Sequence, residues 1–292
     1  MKGTGEATAA ITIVNALSAG VGSAVGIDLA VRADIELHPA GSNGKWDVSV
    51  PEAARTPLVI GSLTQALQRC APGSSGTGAL TIVSEIPAAR GLKSSSAVSV
   101  AIVLAVARAT DASVDLLEVA RLSASISRTA GVSATGALDD AMASLTPEIV
   151  VTDNHEETVL ARHPVPADLG VALYVPPGTH RPSPELLPAF RAESANGRAA
   201  AEKAARGDWA GAMGENTELV ERVIGYDYGA LRAQLRDRGA IASGVSGLGP
   251  AFAAIGPRSR ISELVDALPS LNGTRRAVEF TAHRMRARSG VV

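Results

Sequence analysis

One cysteine, Cys70, stands in 292 residues, so no internal disulfide can form and a reducing, cytoplasmic setting is expected. Five scattered histidines have no cysteine partners, which leaves no zinc-ligand spacing. Neither sign of charge dominates: 27 Lys plus Arg oppose 29 Asp plus Glu, for a net charge of -2. No global field therefore draws the chain to nucleic acid, and any anionic ligand has to be held by local geometry. No apolar run reaches the ~20 residues of a membrane helix, the longest candidate being Ala97 to Ala107. The opening MKGTGEATAAITIV lacks the basic segment, apolar run and cleavage site of a secretory signal. Neither a membrane nor a nucleic-acid partner is expected. Aromatics are only 3% of a chain that is 46% hydrophobic, so the interior has to be built from Ala, Val, Leu and Ile.

β-branched, partly alternating segments predict strands over Ala7 to Leu17 and Gly26 to Leu37, joined through a turn carrying Gly20, Gly22 and Gly26. Helical spacing follows at Thr56 to Arg69, Ser94 to Arg108 and Val114 to Arg128, with a strand at Ala79 to Ile86 and a short helix after Gly136. Past Pro147 the texture changes to short strands broken by prolines, placing a soft boundary near 150 and two domains, 1–150 and 151–292. Amphipathic helices over Ser183 to Ile224, with a break near Gly207, precede a mixed C-terminal region. Strands and helices intermixed in this way indicate a two-layer α+β protein.

Three constellations carry chemistry. Pro87-Ala-Ala-Arg90-Gly91-Leu92-Lys93-Ser94-Ser95-Ser96-Ala97 runs from a strand into the most hydrophobic helix. Unpaired amides and the positive end of the dipole at a helix start suit a polyphosphate, with Gly91 permitting close approach and serine hydroxyls available to phosphate or magnesium. The same residues also suit a Ser-capped buried helix, and the motif by itself does not decide. Gly-x-x-x-x-Gly-Lys-[Ser/Thr] does not occur, which excludes a Walker A loop. The second constellation, Gly131 to Ser144, places Asp139 and Asp140 at a helix start, either as dipole partners or as the carboxylate that a kinase needs beside an acceptor hydroxyl. The third is Ser243-Gly-Val-Ser246-Gly247-Leu-Gly249-Pro250-Ala251, which a glycine-rich turn would also explain.

Pro-x-x-x-Gly-Leu-x-Ser-Ser-[Ser/Ala] resembles the phosphate-binding signature of the GHMP kinases. That resemblance implies an N-terminal domain like domain 2 of ribosomal protein S5, a ferredoxin-like C-terminal domain, and ATP with Mg2+ as cofactors. It implies nucleotide binding by Pro87, Arg90, Gly91, Leu92, Lys93, Ser94, Ser95, Ser96 and Ala97, with Ser95 as a metal ligand. Thr135-Gly-Ala-Leu-Asp139 is similar to the family's catalytic Asp segment, making Asp139 the first choice and Asp140 the reserve. Ser246 and Gly247 belong to a stretch resembling the family's last glycine-rich motif. Members with a magnesium-binding Glu on the preceding helix would place it near Ser127 and Arg128, where no acid stands.

The N-terminal Ala-Pro-Gly-[Arg/Lys] of the sugar and mevalonate kinases is absent, the segment reading Ala10-Ile-Thr12-Ile-Val-Asn15. Ile13 to Asp28, Gly-Leu-Lys-Ser-Ser-Ser and Gly-Val-Ser-x-Thr-Gly-Ala-x-Asp-Asp instead resemble the archaeal shikimate kinases. That likeness implies phosphorylation of the shikimate 3-hydroxyl, with Asn15, Ser23 and Asp28 toward the acceptor. An arginine fork is expected for the shikimate carboxylate, and Arg90, Arg128 and Arg275 lie in or near the motifs. Homoserine kinase, a pantoate-type kinase and a non-catalytic nucleotide sensor on the same fold are the alternatives.

Overall fold

The computed structural model describes residues 1–42, 44–178, 185–270 and 272–282. The chain opens with β1 (Lys2–Val14) antiparallel to the long β2 (Val21–Ser42). β3 (Trp46–Ser49) leads to α1 (Pro57–Cys70), which starts where Thr56 Oγ1 accepts from the Val59 amide and Pro57 fills the first turn. β4 (Ser74–Ser84) returns alongside β2. Three helices follow: α2 (Ser94–Ala109), α3 (Leu116–Thr129), capped by Asp115 through the Glu118 amide, and α4 (Leu138–Leu145).

β5 (Glu148–Asp153) and β6 (Thr158–Pro164) complete a first sheet of order β3-β4-β2-β5-β6, with β1 also on β2. A second sheet begins with β7 (Leu169–Val175). It continues after α5 (Leu186–Ala192), α6 (Ser194–Ala205), α7 (Trp209–Ile224) and α8 (Gly229–Asp237) with β8 (Ala242–Val245) and β9 (Phe252–Pro257). α9 (Ile261–Ala267) and β10 (Thr274–Val278) finish the order β10-β7-β9-β8. The change of sheet thus falls between Pro164 and Leu169, downstream of the texture change near 150, because β5 and β6 hydrogen-bond into the first sheet. No helix among the described residues is long and apolar enough to cross a membrane.

The scarcity of aromatics shapes the packing. β1 lies so close to α2 that a Cβ on Gly3 would sit 2.1 Å from the Ala105 carbonyl oxygen, and one on Gly5 1.9 Å from that of Ala101. Small residues on both elements let backbone meet backbone where larger side chains would hold them apart. Gly22 and Gly26 follow the same logic. Expected in the β1–β2 turn, they lie inside β2, where a Cβ would come 2.5 Å from the Asp139 carboxyl carbon and 2.5 Å from the Ala143 carbonyl oxygen. Only Gly20, with φ +76°, serves the turn itself.

One core joins both sheets: Ile11, Ile27 and Val103 pack in the same cluster as Val171, Leu173 and Ile255. Five of the eight aromatics collect in a smaller cluster on the second sheet, where Phe190 and Phe252 are fully buried and the Tyr228 ring lies 4.9 Å from that of Phe252. Beyond β10 the chain is fastened to the first sheet by the Asp28 amide, which donates to the Glu279 carbonyl at 2.8 Å.

Candidate active site

The segment between β4 and α2 adopts an unusual backbone. Ala89, Gly91 and Lys93 have φ of +54°, +84° and +64°, so peptide groups alternate in direction and form a concave surface. Lys93 is the N-cap of α2 and gives it no side-chain cap. The first-turn amides of Ser94, Ser95 and Ser96 thus open a 16-residue helix without the usual hydroxyl acceptor. This excludes the Ser-capped helix and leaves an N-terminus suited to an anion.

The loop forms one wall of a cleft of about 820 Å3. Its lining includes the apolar residues Pro57, Leu58, Ile82 and Val98. It also includes Asp139 and Asp140 at the start of α4, whose N-cap Ala137, at φ +56°, likewise supplies no side-chain cap. Both acids reach the cleft although successive helical residues diverge by ~100°.

The acids sit in different company. Lys93 Nζ lies 3.0 Å from Asp140 Oδ1, with both side chains 12% exposed. That oxygen has no aligned hydrogen bond, so the contact is an ion pair without directional bonding. Asp139 is 4% exposed and its Oδ1 accepts from Asn154 Nδ2 at 3.0 Å. Burial, and next the adjacent Asp140 charge, push the Asp139 carboxyl up to about 7, against the opposing pull of Lys93 and of the Asn154 hydrogen bond. A carboxylate poised near neutrality in the same cleft as an uncapped helix N-terminus is the arrangement expected of a base acting on an alcohol.

The C-terminal glycine segment closes onto this loop. Ser246 Oγ donates to the Gly91 carbonyl at 2.7 Å and accepts from the Thr12 amide at 3.2 Å. The Gly247 amide donates to Thr12 Oγ1 at 2.8 Å, and Asn15 Nδ2 donates to the Gly247 carbonyl at 3.3 Å. The Ala251 amide donates to the Arg90 carbonyl at 3.0 Å. A Cβ on Gly91 would stand 2.0 Å from the Ser246 carbonyl oxygen, so that glycine is required by backbone packing as well as by its φ.

Of the residues expected at the site, Arg90 through Ser96, Asn15, Asp139, Asp140 and Gly247 all line the cleft. Pro87 and Ala97 flank the loop without lining the cleft, Ala97 being fully buried, and Ser246 acts from beneath as the clasp. Ser23 and Asp28 do not line it: Ser23 is buried within β2, and the Asp28 amide is committed to the Glu279 carbonyl. Of the three arginines only Arg90 is at the cleft, its guanidinium also bonded to the Pro176 carbonyl. Arg128 pairs with Glu157, and Arg275 binds the Asp266 and Leu268 carbonyls. Thr12 and Asn154 are not among the residues expected at the site, and Gly22 is expected only in a turn, since each matters through a contact made by folding.

The uncapped α2 N-terminus and the buried acids in one cleft suit phosphoryl transfer to a small molecule without a P-loop. Residues 58–147 match the GHMP kinases N terminal domain. The chain is 34% identical over 268 residues to a shikimate kinase of Halobacterium salinarum, covering 90% of this chain and 92% of the relative. It is 35% identical over 287 residues to that of Methanothrix thermoacetophila, covering 98% and 96%. Among solved structures, the Methanococcus jannaschii mevalonate kinase superposes with a TM-score of 0.71 at 12% identity, covering 95% of this chain and 98% of that one. The Cytophaga hutchinsonii homoserine kinase gives 0.65 at 17%, covering 97% of both. The chain belongs to the GHMP kinases and, within them, to the family of these archaeal shikimate kinases.

Proposed function

We propose that the protein transfers the terminal phosphoryl group of ATP to the 3-hydroxyl of shikimate. The observation that carries the chemistry is the meeting, in one cleft, of the uncapped α2 N-terminus and the buried Asp139. The choice of acceptor is supported by the relatives named shikimate kinase, which align with nearly the whole chain.

In this reading the concave backbone from Ala89 to Lys93 and the amides of Ser94 to Ser96 hold the nucleotide phosphates, and the apolar part of the lining, with Pro57 and Leu58, receives the base. Asp139 accepts the hydroxyl proton as the acceptor oxygen bonds to the γ-phosphorus and the bridging P–O bond to ADP breaks. Lys93, beside both acids, offsets negative charge gathered there. Arg90, the one arginine of the three at the cleft, supplies the fork for the acceptor carboxylate.

Magnesium, when bound, neutralises phosphate oxygens. Ser95, in the uncapped first turn, is the hydroxyl that fits it. Among the described residues no group of three or more His, Cys, Asp or Glu could hold a metal.

The test is the structure of the product. Proton-coupled phosphorus NMR of the reaction with ATP and shikimate is expected to show one phosphate ester, on the C3 oxygen. An ester at another hydroxyl, or none, would overturn the assignment.

A further inference from the structure

Asp139 depends on a side chain that belongs to no motif. Asn154 lies just past β5, is 3% exposed, and has every polar atom of its amide engaged on known partners. Its Oδ1 accepts from the Leu138 amide at 2.9 Å, the first residue of α4, and from Thr152 Oγ1 at 3.2 Å. Two donors on one oxygen fix the amide orientation, so the NH2 group is the end that faces Asp139 Oδ1, at 3.0 Å. The Asn154 backbone is itself held, its amide donating to the Gly20 carbonyl at 2.9 Å. One residue thus ties the β1–β2 turn, the start of α4 and the carboxylate together.

We propose that Asn154 is a positioning residue for phosphoryl transfer: it caps α4 from outside the helix and, through its NH2 group, aims the Asp139 carboxylate and keeps it in the ionised, proton-accepting form. This rests on the assignment of Asp139 as the base. A neutral amide donor favours the charged form of a buried carboxylate without adding a charge that would compete with the nucleotide. The charged groups near Asp139 are Lys93 on the loop and Asp140 on α4. Arg128 on α3 is turned to Glu157, and His155 packs against Gly20. Removing the donor in Asn154→Ala therefore acts on Asp139 with the set of charges unchanged, whereas Asn154→Asp also adds a carboxylate beside it.

The test compares Asn154→Asp and Asn154→Ala with the parent and with Asp139→Asn. Asn154→Asp retains an oxygen for the Leu138 amide and Thr152, so α4 keeps its cap while the donor to Asp139 is lost. The acid limb of kcat/KM against pH is expected to move up by about one unit or more in this variant. Its rate at pH 6 would then be about tenfold below the parent and would recover toward pH 9, with ATP affinity by calorimetry unchanged. Asn154→Ala is expected to shift the limb the same way and also to lower kcat at all pH values, because the carboxylate is no longer aimed. An acid limb that stays put in Asn154→Ala overturns the proposal even where Asp139→Asn is inactive, because a shift confined to Asn154→Asp reports only the added carboxylate. Full turnover in Asp139→Asn removes the base assignment, and the role of Asn154 with it.

Discussion

Replacing Asp139 by Asn separates catalysis from stability in a way few active-site changes do. The folded carboxyl titrates near 7 where an ordinary aspartate has 3.8, chiefly because it is buried. Between those two pH values the native state holds a proton that the unfolded chain has released, so stability falls as pH rises through this window. At ~1.4 kcal/mol per pH unit the penalty reaches on the order of 4 kcal/mol above pH 7. Asparagine carries no charge to bury, and its carbonyl can still accept from Asn154. Asp139→Asn should thus melt close to the parent near pH 4 and above it at pH 8, by on the order of 10 °C for a chain of this size. At pH 8, where the parent carboxylate is ionised, its turnover should fall by about 100- to 10,000-fold. Scanning calorimetry at pH 4, 6 and 8 with a coupled ADP assay at pH 8 measures both. A melting difference that does not grow with pH would refute the buried-charge reasoning, and turnover near that of the parent would refute the base.

Asp140→Asn should move stability in the opposite direction, because the buried Lys93 ammonium loses its 3.0 Å partner and keeps only Asp139 nearby. Urea unfolding at pH 8 is expected to show a loss of stability, with a smaller fall in turnover than Asp139→Asn. Ser95→Ala should weaken magnesium–ATP binding in calorimetric titration while leaving the melting temperature alone. Gly91→Ala should lower both, since the added Cβ meets the Ser246 carbonyl oxygen at 2.0 Å. Gly22→Ala would bring a methyl to 2.5 Å from the Asp139 carboxylate, and a drop of tenfold or more in kcat with ATP affinity retained is expected.

Much of the site was legible because its chemistry is local. Pro87 to Ser96 declares a loop of small residues and a helix start in one unbroken segment just after β4, and Gly136 to Asp140 does the same for α4. What was not legible depends on contacts between distant segments. Gly22 and Gly26 read as turn residues, and nothing nearby in sequence announces that α4 will lie against β2. Ser23 and Asp28 sit in a segment resembling shikimate kinases, yet alternation along β2 turns Ser23 away from the face that meets Asp139 through Gly22. Thr12 becomes important only when Gly247, 235 positions away, donates to it. Asn154 looks like an ordinary turn residue until folding places its amide on Asp139. The two-sheet α+β architecture was expected from the mixture of elements, whereas the membership of β5 and β6 in the first sheet is a matter of pairing that local pattern does not encode.

The central claim is tested most directly by acceptor-dependent ADP release, with magnesium, ATP and the purified protein and with shikimate, homoserine, mevalonate, galactose and pantoate supplied side by side. Shikimate is expected to drive turnover well above the acceptor-free rate while the other four stay near it. Turnover with homoserine or pantoate and none with shikimate would contradict the acceptor, and ATP binding without acceptor-dependent ADP from any of the five would contradict the kinase reaction itself.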